Sequence, residues 1–351
     1  MTTRQPTAFE SVPAIDIAPL FGNDTAAQQA TAEELGRAAR DVGFFYVVNH
    51  GISEARQQAL FDQTRRFFEL PIEHKMDYYI GKSNNHRGYV PAGEEAPDPT
   101  KADAKEAFDL SFELPADHPD VRAGTPMLGA NVWPDLDGFA DDVYAYYQDV
   151  FNVGRALMGG FEQALGLEQN TLLGQVTEPP SQLRLIHYPY DPNATDAQGI
   201  GAHTDYECFT LLRPTAPGLE VMNGAGEWID VPYRADALVV NIGDMLEIWT
   251  NGAFVATSHR VRKVAEERYS FPLFFAADYH TRVAPLPQLL KEGETPNYEP
   301  LAAGDHLWAQ TIQTFNYLKK RLAAGEIELP EGARGAGTLG QHARHKEDAA
   351  S

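Results

Sequence analysis

Apolar positions recur first at helical spacing and later in short, closely spaced runs. Asp24 or Thr25 can cap a helix reaching about Asp41, closed by Gly43. Phe44-Phe45-Tyr46-Val47-Val48 is an aromatic and β-branched run of strand length, stopped by Asn49-His50-Gly51. Ser53 caps a second helix to about Leu70, ended by Pro71, with Leu60, Phe61, Phe67 and Phe68 on its apolar side. Val143, Tyr146, Tyr147, Val150, Phe151 and Leu157 predict a long helix over 139–165. Beyond Pro180 the texture changes. Short apolar runs separated by turn residues occupy 183–188, 208–212, 219–222, 227–231, 237–242, 258–264 and 269–275. Such spacing reads as an antiparallel sandwich or barrel. A last helix is expected over 305–323, carrying Leu307, Trp308, Ile312, Phe315 and Leu318. The pattern therefore predicts a mainly β protein with helices (α+β), its β core in the C-terminal half and its helices outside.

Two stretches break the periodicity. Residues 81–105 hold three Gly, three Pro and two Asn and read as a long loop of the kind that often binds ligands. After Pro330 the chain is small and polar, with Leu339 its only large apolar side chain, so 331–351 is expected to be a disordered tail. The organisation expected is an N-terminal helical and strand region with the loop (1–115), a core with packing helices (116–330) forming one compact unit, and the tail.

Charge narrows the partners. The 351 residues include 28 Lys plus Arg against 50 Asp plus Glu, a formal net charge of −22. That balance argues against nucleic acid or an anionic membrane surface as partner, since both need concentrated positive charge. A single Cys, Cys208, cannot close an intrachain disulfide, and no secretory leader or membrane span is visible, so a cytoplasmic location is expected. No feature of the sequence sets an oligomeric state.

Among 11 His, one group has ligand spacing. His203-Thr204-Asp205 places an imidazole and a carboxylate two residues apart, on one face of an extended strand. His259, 54 positions after Asp205 and on another predicted strand, can complete two imidazoles and one carboxylate. That set occupies one face of an octahedron and leaves three positions open, as non-haem Fe(II) oxygenation requires. A chance His-x-Asp pair with a lone core His is the plainer alternative. Nine residues beyond His259, Arg268 and Ser270 share a strand face, and a guanidinium beside a hydroxyl forms a bidentate seat for a carboxylate. An outward-facing Arg268 paired with Glu266 or Glu267 is the competing reading.

Taken together, His203-Thr204-Asp205, His259 and Arg268-Tyr269-Ser270 resemble the Fe(II)- and 2-oxoglutarate-dependent dioxygenases, in the branch shared with isopenicillin N synthase. Residues 43–51, Arg87-Gly88-Tyr89, Lys105-Glu106-Ala107-Phe108-Asp109 and Asn241-Ile242-Gly243-Asp244 support the resemblance, which covers about 12–322. It implies a double-stranded β-helix (jelly-roll) core jacketed by helices. It also implies Fe(II) held by His203, Asp205 and His259, and 2-oxoglutarate seated by Arg268, Ser270 and Tyr188. The implied reaction oxidises, by hydroxylation, an unactivated C–H bond of a small molecule with O₂, giving succinate and CO₂. One departure stands out: Ile186 occupies a position where plant relatives commonly carry Asn. His86, Arg87 and Tyr89 from the loop, and Phe275 after the Arg-x-Ser strand, are the expected substrate contacts, although Arg87 and Tyr89 serve equally well as loop anchors. Three alternatives stay open: an isopenicillin N synthase-type iron oxidase without 2-oxoglutarate, an ethylene-forming enzyme, and a zinc hydrolase or binding protein built on the same ligands.

Overall fold

A computed structural model describes residues 5–95, 105–190, 198–262, 266–335 and 339–341. In chain order its elements begin with β1 (Ala14–Asp16), α1 (Thr25–Asp41), β2 (Phe44–Val48), α2 (Glu54–Phe68), α3 (Ile72–Met76), β3 (Gly88–Val90), β4 (Glu106–Ser111), α4 (Pro119–Ala123) and α5 (Phe139–Leu165). The core follows as β5 (Gln182–Tyr188), β6 (Gln198–His203), β7 (Phe209–Pro214), β8 (Leu219–Met222), β9 (Trp228–Asp230), β10 (Ala237–Ile242), α6 (Asp244–Trp249), β11 (His259–Arg262) and β12 (Arg268–Phe275). A small ribbon, β13 (Arg282–Val283) with β14 (Leu301–Ala302), precedes α7 (Ala303–Thr314) and α8 (Asn316–Ala323).

Eight strands form the major sheet in the order β1-β2-β10-β7-β12-β5-β4-β3, and β6-β11-β8-β9 form the minor sheet. Strands β1–β4, from the N-terminal third, thus continue the same sheet as the core strands. The two-residue period of a strand explains why the β2 run is apolar throughout. Phe44 and Tyr46 face the minor sheet, packing with Leu219, Val221, Val239 and Val261. Phe45 and Val47 face the other way, into a core shared with α1, α2 and α5. Buried on both faces, β2 has no polar side to alternate with. Gly43 makes the turn into it at φ +70°, where a Cβ would stand 2.2 Å from both Thr257 Oγ1 and the Val255 carbonyl.

Three sequence expectations meet a different structure. The 81–105 loop contains β3, because Tyr89 pairs with Phe108 across β4 and donates its hydroxyl to Glu106 at 2.6 Å; residues 96–104 lie outside the described set. The single C-terminal helix is two. Phe315 is extended (φ −86°, ψ 131°) and bridges Glu95, and Asn316 restarts the helix while its side chain donates to the Gly93 carbonyl at 2.8 Å. Part of the expected tail is placed: Leu339 packs on the main core and Gln341 is fully buried. Among the described residues no helix is long and apolar enough to cross a membrane.

Candidate metal and co-substrate site

His203 ends β6 and His259 opens β11, and the two residues are direct partners in the antiparallel register. Their rings lie 4.3 Å apart between centroids. Asp205 sits two residues past the end of β6, rather than on the strand itself, and its Oδ1 is 3.6 Å from Nε2 of both histidines. One donor atom from each of the three falls within 4.8 Å of the others, close enough to share one ion. Asp205 is aimed by its second oxygen: Oδ2 accepts from Thr210 Oγ1 on β7 and from Asn241 Nδ2 on β10, the latter at 2.7 Å. His203 Nδ1 lies 2.7 Å from the Gly201 carbonyl, which can only accept, so Nδ1 carries the proton and Nε2 offers its lone pair.

The electrostatics favour the metal-binding protonation states. Desolvation, then neighbouring His259, pushes His203 down to about 4. Burial alone would raise the Asp205 carboxyl, but His259, His203, Asn241 and Thr210 outweigh it and hold it below the usual range. Near neutral pH His203 is therefore a neutral imidazole and Asp205 an anion, as coordination needs.

Arg268 opens β12 opposite Tyr188 of β5, with its guanidinium 4.9 Å from the Tyr188 ring centroid. It is 1% exposed. Its Nε donates weakly to the Ala216 carbonyl at 3.4 Å, but Nη1 and Nη2 have no hydrogen-bond partner among the described residues. Burial lowers its pKa, with Tyr188 opposing. The outward pairing with Glu266 or Glu267 is thus not what the structure holds; Glu267 instead meets His187. Ser270, 2% exposed, lies two positions along the same strand face. A buried fork with two idle donors is a costly arrangement unless an anion completes it.

Strand parity sorts the remaining candidates. Arg268 and Ser270 point between the sheets, so Phe275, an odd number of positions on, points out: it stacks on Phe209 and Phe151 and lies beneath α5, where a Cβ on Gly154 would strike it. Tyr89 belongs to the same outer core. Arg87 is fully buried and donates to the Asn85, His86 and Met127 carbonyls, anchoring the loop. His86 is buried, with Nδ1 2.7 Å from Tyr317 Oη and its ring edge-on to Phe315. Phe108 and Cys208 are core residues, and His50 and His187 are hydrogen-bonded structural ones. His342 and His345 lie outside the described residues.

A charged wall was not expected. Arg184 shares the inner face of β5 with Ile186 and Tyr188, grips Asp109 through two 2.7 Å bonds, and meets Glu95, which Lys105 pairs at 2.9 Å. Burial opposes ionisation of Glu95, but Arg184 and Lys105 prevail and bring it to about 2. The even spacing of 184, 186 and 188 was the available signal. Ile186 packs among Val90, Ala107 and Ile312 and adds an apolar patch to this wall.

Two imidazoles and a carboxylate that can share one ion, and a buried arginine fork on a strand of the major sheet, are the donor set that a mononuclear non-haem iron site and a carboxylate seat would need. The chain belongs to the 2-oxoglutarate- and Fe(II)-dependent oxygenase superfamily and is a 2-oxoglutarate-dependent oxidoreductase: residues 179–277 match the 2OG-Fe(II) oxygenase superfamily, and residues 12–136 match the family described as non-haem dioxygenase in morphine synthesis N-terminal. It is 31% identical to the 2-oxoglutarate-Fe(II) type oxidoreductase hxnY of Emericella nidulans, over 97% of each chain. It is also 32% identical to isopenicillin N synthase of Penicillium chrysogenum, over 87% of this chain and 96% of that one. Among solved structures, full-length Neurospora crassa T7H in complex with alpha-KG and thymine superimposes with a TM-score of 0.72 at 26% identity, covering 90% of this chain and 97% of that one. The jelly-roll expectation and the iron and 2-oxoglutarate expectations hold.

Proposed function

We propose that His203, Asp205 and His259 hold one Fe(II) ion, and that Arg268 and Ser270, with Tyr188 beside them, seat the far carboxylate of 2-oxoglutarate. The observation that carries this reading is the Arg268 fork, buried with neither terminal nitrogen hydrogen-bonded among the described residues. A carboxylate meets such a fork in two parallel charge-assisted bonds, and Ser270 adds a hydroxyl on the same face. Iron held by the triad supplies O₂ activation for attack on an unactivated C–H bond, with 2-oxoglutarate converted to succinate and CO₂. The chain's own part is positional. Thr210 and Asn241 keep Asp205 aimed, Gly201 fixes the His203 tautomer, and Arg268 sets the depth and direction of the co-substrate.

The substrate is a small molecule, hydroxylated against the inner wall formed by Arg184, Glu95 and Lys105, rather than by Arg87, Tyr89 or Phe275, which packing and loop anchoring occupy. The alpha-KG complex of the Neurospora relative supports the co-substrate. The unpaired, buried Cys208 thiol suits a cytoplasmic setting. The likeness to isopenicillin N synthase favours one rival, in which Arg268 takes a carboxylate of the substrate itself. Stoichiometry decides: O₂-driven release of one succinate per substrate consumed supports the proposal, and substrate oxidation without succinate supports the rival.

A further inference from the structure

Leu339, Gly340 and Gln341 lie against the two segments that present the histidines. The Gln341 backbone N–H donates to the Ala256 carbonyl at 3.1 Å. Its side-chain Oε1 accepts from the Ser258 N–H at 2.8 Å, and Nε2 donates to the Asn223 carbonyl at 3.4 Å. Ser258 immediately precedes His259. Asn223 follows β8, whose Val221 is the register partner of His259, and the Met222 N–H donates to the Ser258 carbonyl at 2.8 Å. Gln341 therefore supplies, at the end of the minor sheet, hydrogen bonds to residues 256 and 258 that a further strand would otherwise make.

The same short segment reaches the other histidine. Thr204, between His203 and Asp205, directs its hydroxyl to the Leu339 carbonyl at 3.5 Å. Gly340 takes φ +67° and sits so close that a Cβ would stand 2.7 Å from both Thr204 Oγ1 and Asp244 Oδ1. A side chain there would crowd both atoms and take a backbone that residues other than glycine rarely adopt. Three consecutive residues thus touch the neighbours of His203, Asp205 and His259 without using any atom of the triad.

We propose that residues 339–341 form a strap that sets the spacing between the 203–205 and 257–259 segments, with Gln341 as a positioning residue for the metal site. The proposal rests on reading the triad as that site. Metal affinity depends on ligands being held in place before the ion arrives, and partners outside the ligand set typically contribute about 10–100-fold. Released from Gln341, the backbone entering His259 has a buried N–H with no partner and freedom to shift.

Fe(II) binding is measured by anaerobic equilibrium dialysis for the full chain, Gln341→Ala, Gln341→Glu and a chain ending at residue 338, alongside far-UV spectra and melting of each metal-free protein. Gln341→Ala is expected to bind Fe(II) about tenfold more weakly with an unchanged far-UV spectrum, and the shortened chain at least as weakly. Gln341→Glu, which keeps the acceptor for Ser258, is expected to recover part of the loss. Should the shortened chain fail to fold, Gln341→Ala decides. Affinity within twofold of the full chain in Gln341→Ala, whatever its melting temperature, overturns the strap. A full chain that itself binds no Fe(II) overturns the metal reading and the strap with it.

Discussion

Asn241 on β10 donates to Asp205 Oδ2 at 2.7 Å, so a strand of the major sheet holds the carboxylate that the minor sheet's β6 delivers. With Thr210 sharing that oxygen, Oδ1 is left toward the two imidazoles. Asn241→Ala removes the aim without removing the ligand. Fe(II) affinity is expected to fall roughly 10–100-fold, measured by anaerobic titration, whereas Asp205→Ala is expected to abolish binding.

Arg268 permits a prediction of sign. As a buried cation with no anionic partner among the described residues it burdens the protein that lacks co-substrate, so Arg268→Leu is expected to make the metal-free, co-substrate-free protein more stable, by roughly 1–3 kcal/mol in denaturant unfolding, while eliminating 2-oxoglutarate binding. Arg268→Lys keeps the charge but loses the fork, and its KM for 2-oxoglutarate is expected to rise about tenfold or more. A less stable Arg268→Leu protein would mean that the guanidinium already has its partner.

The acid side of the stability curve follows from His203. Its folded pKa, about 4, lies below the unfolded value of about 6.5, so the unfolded chain binds more protons in between. Stability of the metal-free protein is therefore expected to fall as pH drops from 6.5 toward 4, and His203→Ala to flatten part of that slope. Thermal melts across this window give the comparison.

Phe275 and Arg268 sit on opposite faces of β12, and their variants should separate accordingly. Phe275→Ala opens a cavity beneath α5 and is expected to cost about 3–5 kcal/mol of stability, leaving 2-oxoglutarate affinity unchanged in the folded fraction.

Much of this was legible from residues. Helix α5 and strands β8 and β10 fall where periodicity places them, because long amphipathic and short apolar patterns are local signals. The Arg-x-Ser pair was legible because parity on a strand is enforced over short distances, and His203 and His259 because they fall at the ends of strands; Asp205 was expected on the strand that it leaves. Phe275 was misjudged for want of that same parity, counted from Arg268. What could not be read was set by distant partners. Phe315 breaks a continuous helical pattern because Glu95 bridges it, and Gln341 is buried by a sheet end that composition cannot announce. Asp205 leaves its strand with its Oδ2 answering to Thr210 of β7 and Asn241 of β10.

The most direct test adds Fe(II) and then 2-oxoglutarate to the protein under strict exclusion of O₂ and records the visible spectrum. A metal-to-ligand charge-transfer band that requires both additions, and that is missing in Asp205→Ala and Arg268→Leu, is the expected result. Absence of the band in the wild-type protein with Fe(II) bound, or its persistence in either variant, would contradict the assignment of these residues.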